Sequence, residues 1–392
     1  MLASENRATP RTAAGKACIG MFSGIGGLEL GLSAAGFQAS MMCEIDPHAT
    51  EVLGARFEDV ELVQDVRRIE MLPTAEVVAA GFPCQDLSQA GRTQGITGTK
   101  SGIVETLLAL LKAAPKRPEW LLIENVPFML KLGRGAAIAH VTSELARLGY
   151  AWAYRVVDSR AFGLPQRRRR VYLLASQAGD PRVIHIEDAG SQPEPIWNGG
   201  ATGFYWTEGN TGLGWVPGGI PTLKGGSGLG IPSAPAIWFP DGRIGTPDIR
   251  DAERLQGFES GWTEAAQAAR GGARWRLVGN AVSVPVAKWV GSLIANPPSG
   301  PVPAGDLLND ASTWPDAAWG ANGKRYRVDC SAWPQVMPRP DIQDFLEHQI
   351  KPLSLKATSG FYSRLQRSTL RRPGEFDLAL KRHIAHMKDL QS

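Results

Sequence analysis

The octapeptide GFPCQDLS, Gly81–Ser88, places a cysteine directly after a proline at the end of an apolar run. Cysteine is scarce in this chain, with four in 392 residues. Proline fixes the local backbone and the loop that follows can turn the sulfur toward a cleft, so Cys84 has the setting of a nucleophile. The alternative is a buried structural thiol, which is the commonest role of a free cysteine.

A carboxyl group follows another apolar run, since Glu124 comes directly after WLLI. The carboxyl ends of neighbouring parallel strands meet at one edge of a sheet, so we expect Glu124 and Cys84 to share a cleft. A thiolate and a carboxylic acid in one cleft form a pair suited to covalent catalysis. The alternative for Glu124 is an exposed acid in a turn.

The segment FSGIGGLELG has Gly24, Gly26 and Gly27 between a predicted strand and a predicted helix. Glycines there permit a tight turn and let a ligand approach backbone N–H groups. The turn matches neither a P-loop nor a complete GxGxxG pattern, and by itself it is also compatible with a plain tight turn. Glu44 ends the next predicted strand, where an acid typically accepts hydrogen bonds from ribose hydroxyls. Together these residues indicate a ligand that contains adenosine.

Strands and helices alternate from Ala17 onward, which predicts an α/β fold with a Rossmann-like, doubly wound and mostly parallel sheet. Residues 196–240 then contain only two charged side chains, Glu208 and Lys224, among many glycines and aromatics. The aromatics argue against a disordered linker, so we expect a smaller irregular module. The predicted division is a disordered tail at 1–16, a catalytic domain at 17–180 and 246–297, the glycine-rich module at 181–245, and a basic extension at 298–392.

The net charge of +4 is unevenly distributed, because residues 351–392 carry nine Lys and Arg against three Asp and Glu. Such a basic end is either a solvated face or a nucleic-acid contact. The sequence has no run of about 18 apolar residues and no signal peptide at its start, so we expect no membrane span. The cysteines lack paired or metal-like spacing, which fits a cytoplasmic protein without a metal site.

Eight short blocks occur in one characteristic order: FSGIGGLELGL, EID, QDV, GFPCQDLS, ENV, QRRRRVYLLA, RLQGF and GNAV. In these blocks the chain resembles the DNA (cytosine-5) methyltransferases of bacterial type, over about residues 17–180 and 245–296. The resemblance implies the class I fold of enzymes that use S-adenosylmethionine, with the module at 181–245 as target recognition region. It implies methyl transfer to C5 of a cytosine flipped out of duplex DNA, through a Cys84 adduct.

The resemblance also implies the biological setting, which is restriction–modification or phage defence. Its partners would be duplex DNA and a cognate restriction endonuclease or defence-system proteins, and the enzyme would be a monomer. Two rival functions are a tRNA cytosine-C5 methyltransferase and a catalytically silent DNA-binding module. The long recognition region and the basic extension favour DNA over tRNA, and the intact Cys84 and Glu124 argue against a silent module.

The resemblance assigns roles to individual residues. Cys84 would add to the cytosine, Glu124 would protonate N3, and Arg168, with Arg170 also in the catalytic set, would hold the base O2 or its phosphate. The residues implied for S-adenosylmethionine are Phe22, Ser23, Gly24, Ile25, Gly26, Gly27, Leu28, Glu44, Ile45, Asp65, Val66, Pro83, Ile103, Asn280 and Ala281. Those implied for DNA are Gln85, Ser88, Arg92, Lys100, Gln166, Thr222 and Leu223.

Three positions depart from the family pattern: Lys100 stands where arginine is common, Ala281 where serine is frequent, and Asp251 where glutamate is usual. Lysine keeps the charge but loses the bidentate fork of arginine, so the contact of Lys100 with DNA is weaker in principle. For the basic extension we expect two to four side chains on DNA phosphates. The side chains considered for that role are Arg364, Arg367, Arg371, Arg372, Lys381 and Arg382.

Overall fold

The protein folds around a ten-stranded sheet, and the α/β class predicted from the sequence is confirmed. The computed structural model describes residues 16–82, 102–210, 212–226, 234–267, 272–309 and 313–391. One half of the sheet consists of five parallel strands: β1 (Lys16–Met21), β2 (Phe37–Cys43), β3 (Glu61–Val63), β4 (Val77–Ala80) and β5 (Trp120–Asn125). Their spatial order, β3–β2–β1–β4–β5, is that of a doubly wound fold.

The other half of the sheet is antiparallel. Its strands are β6 (Ala151–Asp158), β8 (Arg169–Ser176), β14 (Asp306–Leu307), β15 (Ala317–Ala321) and β16 (Lys324–Arg327). From β5 outward they follow in the order β8, β6, β15, β16, β14. The sheet is therefore more mixed than the predicted, mostly parallel one, because β8 and β6 run antiparallel to their neighbours and three strands of the C-terminal part of the chain extend it.

Helices cover both faces of the sheet. They are α1 (Gly27–Ser33), α2 (Pro47–Arg56), α3 (Ile103–Ala113), α4 (Ala136–Arg147), α5 (Ile249–Arg254), α6 (Ala273–Asn280), α7 (Val284–Ala295), α8 (Ile342–Phe345), α9 (Leu355–Gln366) and α10 (Gly374–Asp389). Alternate residues of β4 face opposite cores: Val78 packs with α3 and α4, and Val77 packs with α1 and α7. Burial on both faces explains why these strands read as continuous apolar runs.

Short 3-10 helices lie at Val66–Arg68, Pro127–Leu130, Leu132–Gly135, Ser159–Phe162, Pro181–His185 and Glu264–Ala266. Within the described ranges, one stretch, Ala273–Ala295, is long and apolar enough to cross a membrane. Of its most apolar 18 residues, 78% are buried inside the fold. That burial is what a core segment of the protein requires, since this stretch contains α6 and α7.

The predicted glycine-rich module contains most of a second, antiparallel sheet. Its strands are β9 (Thr202–Phe204), β10 (Val216–Pro217), β12 (Ala236–Trp238), β13 (Ile244–Thr246) and β17 (Lys351–Pro352), in the order β10–β9–β12–β13–β17. A separate parallel pair joins β7 (Gln166–Arg167) of the catalytic domain to β11 (Ile220–Pro221) of the module. The module thus has its own core and a backbone connection to the catalytic part.

The residues predicted as an extension, 298–392, take part in both sheets. β15 pairs with β6 of the catalytic part, and β17 pairs with β13 of the recognition region. Phe361 of α9 and Phe376 of α10 are fully buried against Phe204 of β9. Of the predicted N-terminal tail only Lys16 is described, as the first residue of β1.

Candidate functional site

The candidate site lies where the parallel strands end. In register, Met21 of β1 lies beside Cys43 of β2 and Ala80 of β4, and Ala80 lies beside Ile123 of β5. The loops that follow these residues therefore leave the sheet at the same edge, as the sequence predicts. They carry FSGIGG, EID, GF and ENV, and the segment after β3 brings QDV to the same edge.

The turn after β1 is built on left-handed backbone. Phe22, Gly24 and Gly26 have φ angles of 59°, 57° and 84°. A Cβ atom at Gly24 would meet nothing within 4 Å, so the turn is open there, whereas one at Gly26 would collide with the ring of Phe57. Trp262, which the sequence did not single out, donates from Nε1 to the Ile25 carbonyl at 2.8 Å. The turn is thus held on one side by Phe57 and Trp262 and has open space on the side of Gly24.

Glu44 holds this turn through its carboxylate. Its Oε2 accepts from Gly24 N at 2.7 Å, and its Oε1 accepts from Ile45 N and Asp46 N at 2.8 Å each. Burial raises the pKa of Glu44 above its ordinary value, against the effect of these three N–H groups. A carboxylate has about four lone-pair sites, so one acceptor position remains for a ribose hydroxyl. Ile45 beside it is 65% exposed, an apolar surface at the mouth of the site.

Ser23, Gly27, Leu28 and Val66 belong to the same edge and are buried. Asp65 caps the 3-10 helix Val66–Arg68 by accepting from Arg67 N at 3.0 Å. Its two carboxylate oxygens also accept from the Arg67 guanidinium, which lowers the pKa of Asp65 to about 2. Any contact of Asp65 with a nucleobase would share this carboxylate with Arg67. Ile103 opens α3 and is half-buried.

Glu124 is the buried acid of the site, with 8% of its surface exposed. Its Oε1 lies 3.0 Å from Nε of Arg170, and burial raises its pKa although Arg170 and Arg168 oppose this. A Cβ atom at Gly81 would lie 3.9 Å from Glu124 Oε2 and 3.9 Å from the Phe22 carbonyl. The carboxyl group thus stands between the glycine turn and the start of the GFPC loop.

Asn125 connects the end of β5 to the segment that follows β4. The sequence contained it in the block ENV but did not single it out as a site residue. Its Nδ2 donates to the Phe82 carbonyl at 2.9 Å, and its Oδ1 accepts from Val126 N. This bond holds Phe82, the last described residue before Pro83, against the strand that carries Glu124. Six predicted site residues fall outside the described part of the chain: Pro83, Cys84, Gln85, Ser88, Arg92 and Lys100.

The structure gives Arg168 other partners than the predicted base or phosphate. Its guanidinium is 1% exposed and donates to three backbone carbonyls, those of Leu223 at 2.9 Å, Gly279 at 3.3 Å and Ala281 at 2.5 Å. Burial lowers the pKa of Arg168 to about 9. Arg168 thus joins the recognition region to the end of α6, and Arg170 is the arginine beside Glu124.

Three residues that were predicted to contact DNA form hydrogen bonds between the catalytic domain and the recognition region: Gln166, Thr222 and Leu223. Gln166 is fully buried: its Nε2 donates to the Leu255 carbonyl at 2.7 Å, and its Oε1 accepts from Leu223 N at 2.9 Å. Thr222 Oγ1 donates to the Arg167 carbonyl at 2.7 Å. Leu223 is 2% exposed. These residues fasten the recognition region to the catalytic domain, and their contact with DNA stays a prediction.

Asn280 and Ala281 lie at the end of α6, and they take part in the same contact between the recognition region and the catalytic domain. Asn280 is exposed, and its amide lies so close to Gly225 that a Cβ there would collide with it. The Ala281 carbonyl is taken by Arg168. The predicted cofactor contact of these two residues stays a prediction, while their contact with the recognition region is a feature of the fold.

The chain is similar to known methyltransferases. Residues 17–196 match the family of C-5 cytosine-specific DNA methylases. The type II methyltransferase M2.BsuMI of Bacillus subtilis (strain 168) is 48% identical over 366 residues, which cover 90% of this chain and 93% of that protein. The type II methyltransferase M.BanI of Aneurinibacillus aneurinilyticus is 31% identical over 179 residues, 44% of this chain and 41% of that protein.

Among solved structures, the Entamoeba histolytica methyltransferase EhMeth has a similar fold. The match covers 71% of this chain and 97% of that one, with a TM-score of 0.51 and 15% sequence identity.

Proposed function

Because the chain belongs to the C-5 cytosine-specific DNA methylase family and is a DNA (cytosine-5-)-methyltransferase, we propose that it methylates a cytosine flipped out of duplex DNA, through a covalent Cys84 adduct and with S-adenosylmethionine as methyl donor. The observation that carries this proposal is the Glu124 carboxyl group. It is buried at the end of β5, beside the end of β4 from which the Cys84 loop starts, and is paired with Arg170 at 3.0 Å.

The glycine turn and Glu44 fit S-adenosylmethionine. The turn offers open space over Gly24, Glu44 keeps one acceptor position, and Ile45 presents apolar surface that an adenine would cover. When bound, S-adenosylmethionine supplies a methyl group on a positively charged sulfur. The residues that would hold it are Phe22 to Leu28, Glu44 and Ile45, with Asp65 and Val66 at the next strand end.

Glu124 suits the proposed step because burial raises its pKa, which favours the protonated form that can donate to N3. As the Cys84 thiolate forms a bond to C6 of the cytosine, the ring gains electron density, and a proton donated by Glu124 to N3 offsets it. C5 then takes the methyl group as the bond between this group and the donor sulfur breaks. A base removes the C5 proton, the C6–S bond breaks to release the thiolate, and N3 returns its proton to Glu124. Arg170 holds the Glu124 carboxyl in place throughout this sequence.

The other cysteines are poor candidates for the nucleophile. Burial raises the pKa of Cys18 and of Cys43 to about 12, and that of Cys330 to about 11. A thiol with such a pKa is protonated at neutral pH, and the thiolate is the reactive form. This supports the assignment of Cys84, which rests on its place in GFPCQDLS.

Flipping is part of the proposal because C5 and C6 of a stacked cytosine are out of reach of a side chain in a closed site. The type II names of the relatives suggest the biological setting. We infer a role in restriction–modification or phage defence, with a cognate endonuclease or other defence-system proteins as partners.

The test uses duplex DNA in which 5-fluorocytosine replaces the target cytosine. Fluorine at C5 cannot leave as a proton does, so the enzyme should remain attached and migrate as an adduct in denaturing gels. Cys84→Ser should give no adduct and less than about a tenth of the parent rate of labelled methyl transfer, because a hydroxyl is far less nucleophilic than a thiolate. Cys330→Ser, the matched control, should form the adduct normally. An adduct with Cys84→Ser would disprove the role of Cys84.

A further inference from the structure

The two charged side chains of residues 196–240 meet each other. Lys224 Nζ lies 2.6 Å from Glu208 Oε1, and their side chains are 42% and 25% exposed. An ion pair this exposed stabilises a fold by less than about 1 kcal/mol, so stability alone does not account for it. In a stretch otherwise free of charge, both partners remain accessible to a ligand.

The ammonium group of Lys224 is held from a second side. It lies 3.8 Å from the centroid of the Tyr205 ring, a distance suited to a cation–π contact. The Tyr205 hydroxyl donates to the Thr222 carbonyl at 2.8 Å, which fixes the ring in turn. A lysine side chain ordinarily has many rotamers, and here an acid and an aromatic ring select one of them.

The backbone on either side of Lys224 is also fixed. Leu223 has both its N–H and its carbonyl bound, to Gln166 and Arg168 of the catalytic domain. On the other side, Gly225 touches the amide of Asn280. Lys224 therefore projects from the contact between the two parts of the protein, directly after the residue whose carbonyl accepts from Arg168.

Glu208 is positioned by the C-terminal part of the chain. Arg364 of α9 donates from Nε to the Glu208 carbonyl at 2.8 Å and from Nη2 to the Trp206 carbonyl at 2.9 Å. Gly209 packs on the ring of Phe361, where a Cβ atom would lie 3.3 Å from the ring carbons. The acid that holds Lys224 is thus itself attached to a rigid helix.

This arrangement fits base recognition better than phosphate binding. A phosphate-binding lysine acts as a point charge, and an acid at 2.6 Å offsets its attraction for an anion. A lysine held in one direction can instead donate to acceptors at one fixed place, and the commonest such acceptors are O6 and N7 of guanine in the major groove.

Resting on the proposed function, we propose that Lys224 is a specificity-determining residue. Held by Glu208 and Tyr205, it donates to O6 and N7 of one guanine next to the methylated cytosine in the target site.

The experiment compares methylation patterns by bisulfite sequencing of DNA from hosts that express the parent or one variant. The parent defines the target sequence. Lys224→Met removes the donor and should lower discrimination at one guanine position about tenfold or more, leaving the other positions unchanged. Lys224→Gln should admit adenine at that position, because glutamine pairs with adenine N6 and N7. Lys224→Arg should retain guanine.

The matched control is Lys16→Met. Lys16 forms an equally short and exposed ion pair with Glu76, 2.6 Å long, at the opposite edge of the sheet, and its loss should leave the target sequence unchanged. An unchanged target sequence in both Lys224→Met and Lys224→Gln would overturn the inference alone. A parent that leaves no methylcytosine would overturn the proposed function, and the inference with it. Should Lys224→Met fail to fold, as seen from its melting curve, Lys224→Gln decides the question.

Discussion

Arg364 donates two hydrogen bonds from its guanidinium to the backbone of the recognition region, at 2.8 Å to the Glu208 carbonyl and at 2.9 Å to the Trp206 carbonyl. The sequence alone suggested that this arginine contacts DNA phosphates. Arg372 is likewise engaged within the fold, with its Nε 3.0 Å from Asp377 Oδ2. Arg364 and Arg372 therefore bind other parts of the fold. Arg367, whose Nε donates to the Ser363 carbonyl of its own helix at 3.3 Å, is exposed, as are Arg371, Lys381 and Arg382.

We expect Arg364→Gln to lower the free energy of unfolding by about 2 kcal/mol, because two carbonyl groups lose a charged donor. Urea unfolding followed by tryptophan fluorescence measures this. Arg367→Gln, at the C-terminal end of the same helix, should change it by less than about 0.5 kcal/mol. Equal stability of the two variants would show that Arg364 does not fasten α9 to the recognition region.

The phosphate hypothesis now rests on the exposed side chains Arg367, Arg371, Lys381 and Arg382, of which the two arginines are tested first. Changing both to Gln should weaken binding to specific and random DNA alike, and it should reduce the log–log salt slope by about 0.9 for each phosphate that these arginines neutralise. Binding measured by fluorescence anisotropy at several salt concentrations gives the slope. The control pair is Lys112 and Lys116, exposed residues before the start of β5, at the edge away from the site. A slope that matches the parent would mean that Arg367 and Arg371 do not neutralise DNA phosphates.

Glu44→Ala should weaken S-adenosylmethionine binding about tenfold to a hundredfold, since the variant has no charged acceptor for the ribose. It should also loosen the turn, because Gly24 N loses its 2.7 Å acceptor. Calorimetric titration measures the affinity, and DNA binding should hardly change. Glu51→Ala on the exposed side of α2 is the control. Unaltered cofactor affinity in Glu44→Ala would remove this residue from the site.

Glu29 is predicted to make stability depend on pH. It is 1% exposed, and burial raises its pKa from 4.5 to about 7. The folded chain then binds more protons than the unfolded chain between these two values, so the free energy of unfolding falls as the pH rises through this window. The decrease due to this residue reaches about 3 kcal/mol above pH 7.

Glu29→Gln keeps the shape of the neutral acid and should remove this part of the pH dependence. Urea unfolding at pH 5 and at pH 8 measures it, and the variant should gain stability over the parent at the higher pH. Glu70→Gln, on the surface, should keep the parent's pH dependence. If the parent and Glu29→Gln differ by the same amount at both pH values, Glu29 does not titrate in this range.

The catalytic half of the fold, and the sheet edge at which its site lies, could be predicted from the sequence alone. Apolar runs such as WLLI predict strands buried on both faces, and parallel strands necessarily bring their following loops to one edge. That is why Glu44 and Glu124 could be placed beside the glycine turn, and why the class of fold was predictable.

Which arginine reaches Glu124 depends on how the strands pair, and the sequence pattern does not show this. Alternation along QRRRR places Gln166, Arg168 and Arg170 on one side, but it does not say what that side meets. The pairing of β8 with β5 sets Tyr172 opposite Glu124, and this register brings Arg170 to the carboxyl group while Arg168 meets the carbonyls of α6 and the recognition region.

The place of the last 95 residues, 298–392, was also decided by tertiary structure. The basic charge of residues 351–392 suggested a solvated face or a nucleic-acid contact. Charge describes the charged side chains of a segment and does not show how its apolar side chains pack. The buried residues of this segment, including Phe361 and Phe376, complete the core of the recognition region, and β15 extends the central sheet. Strand pairing and burial between residues far apart in sequence depend on the whole chain, so no local pattern could have revealed them.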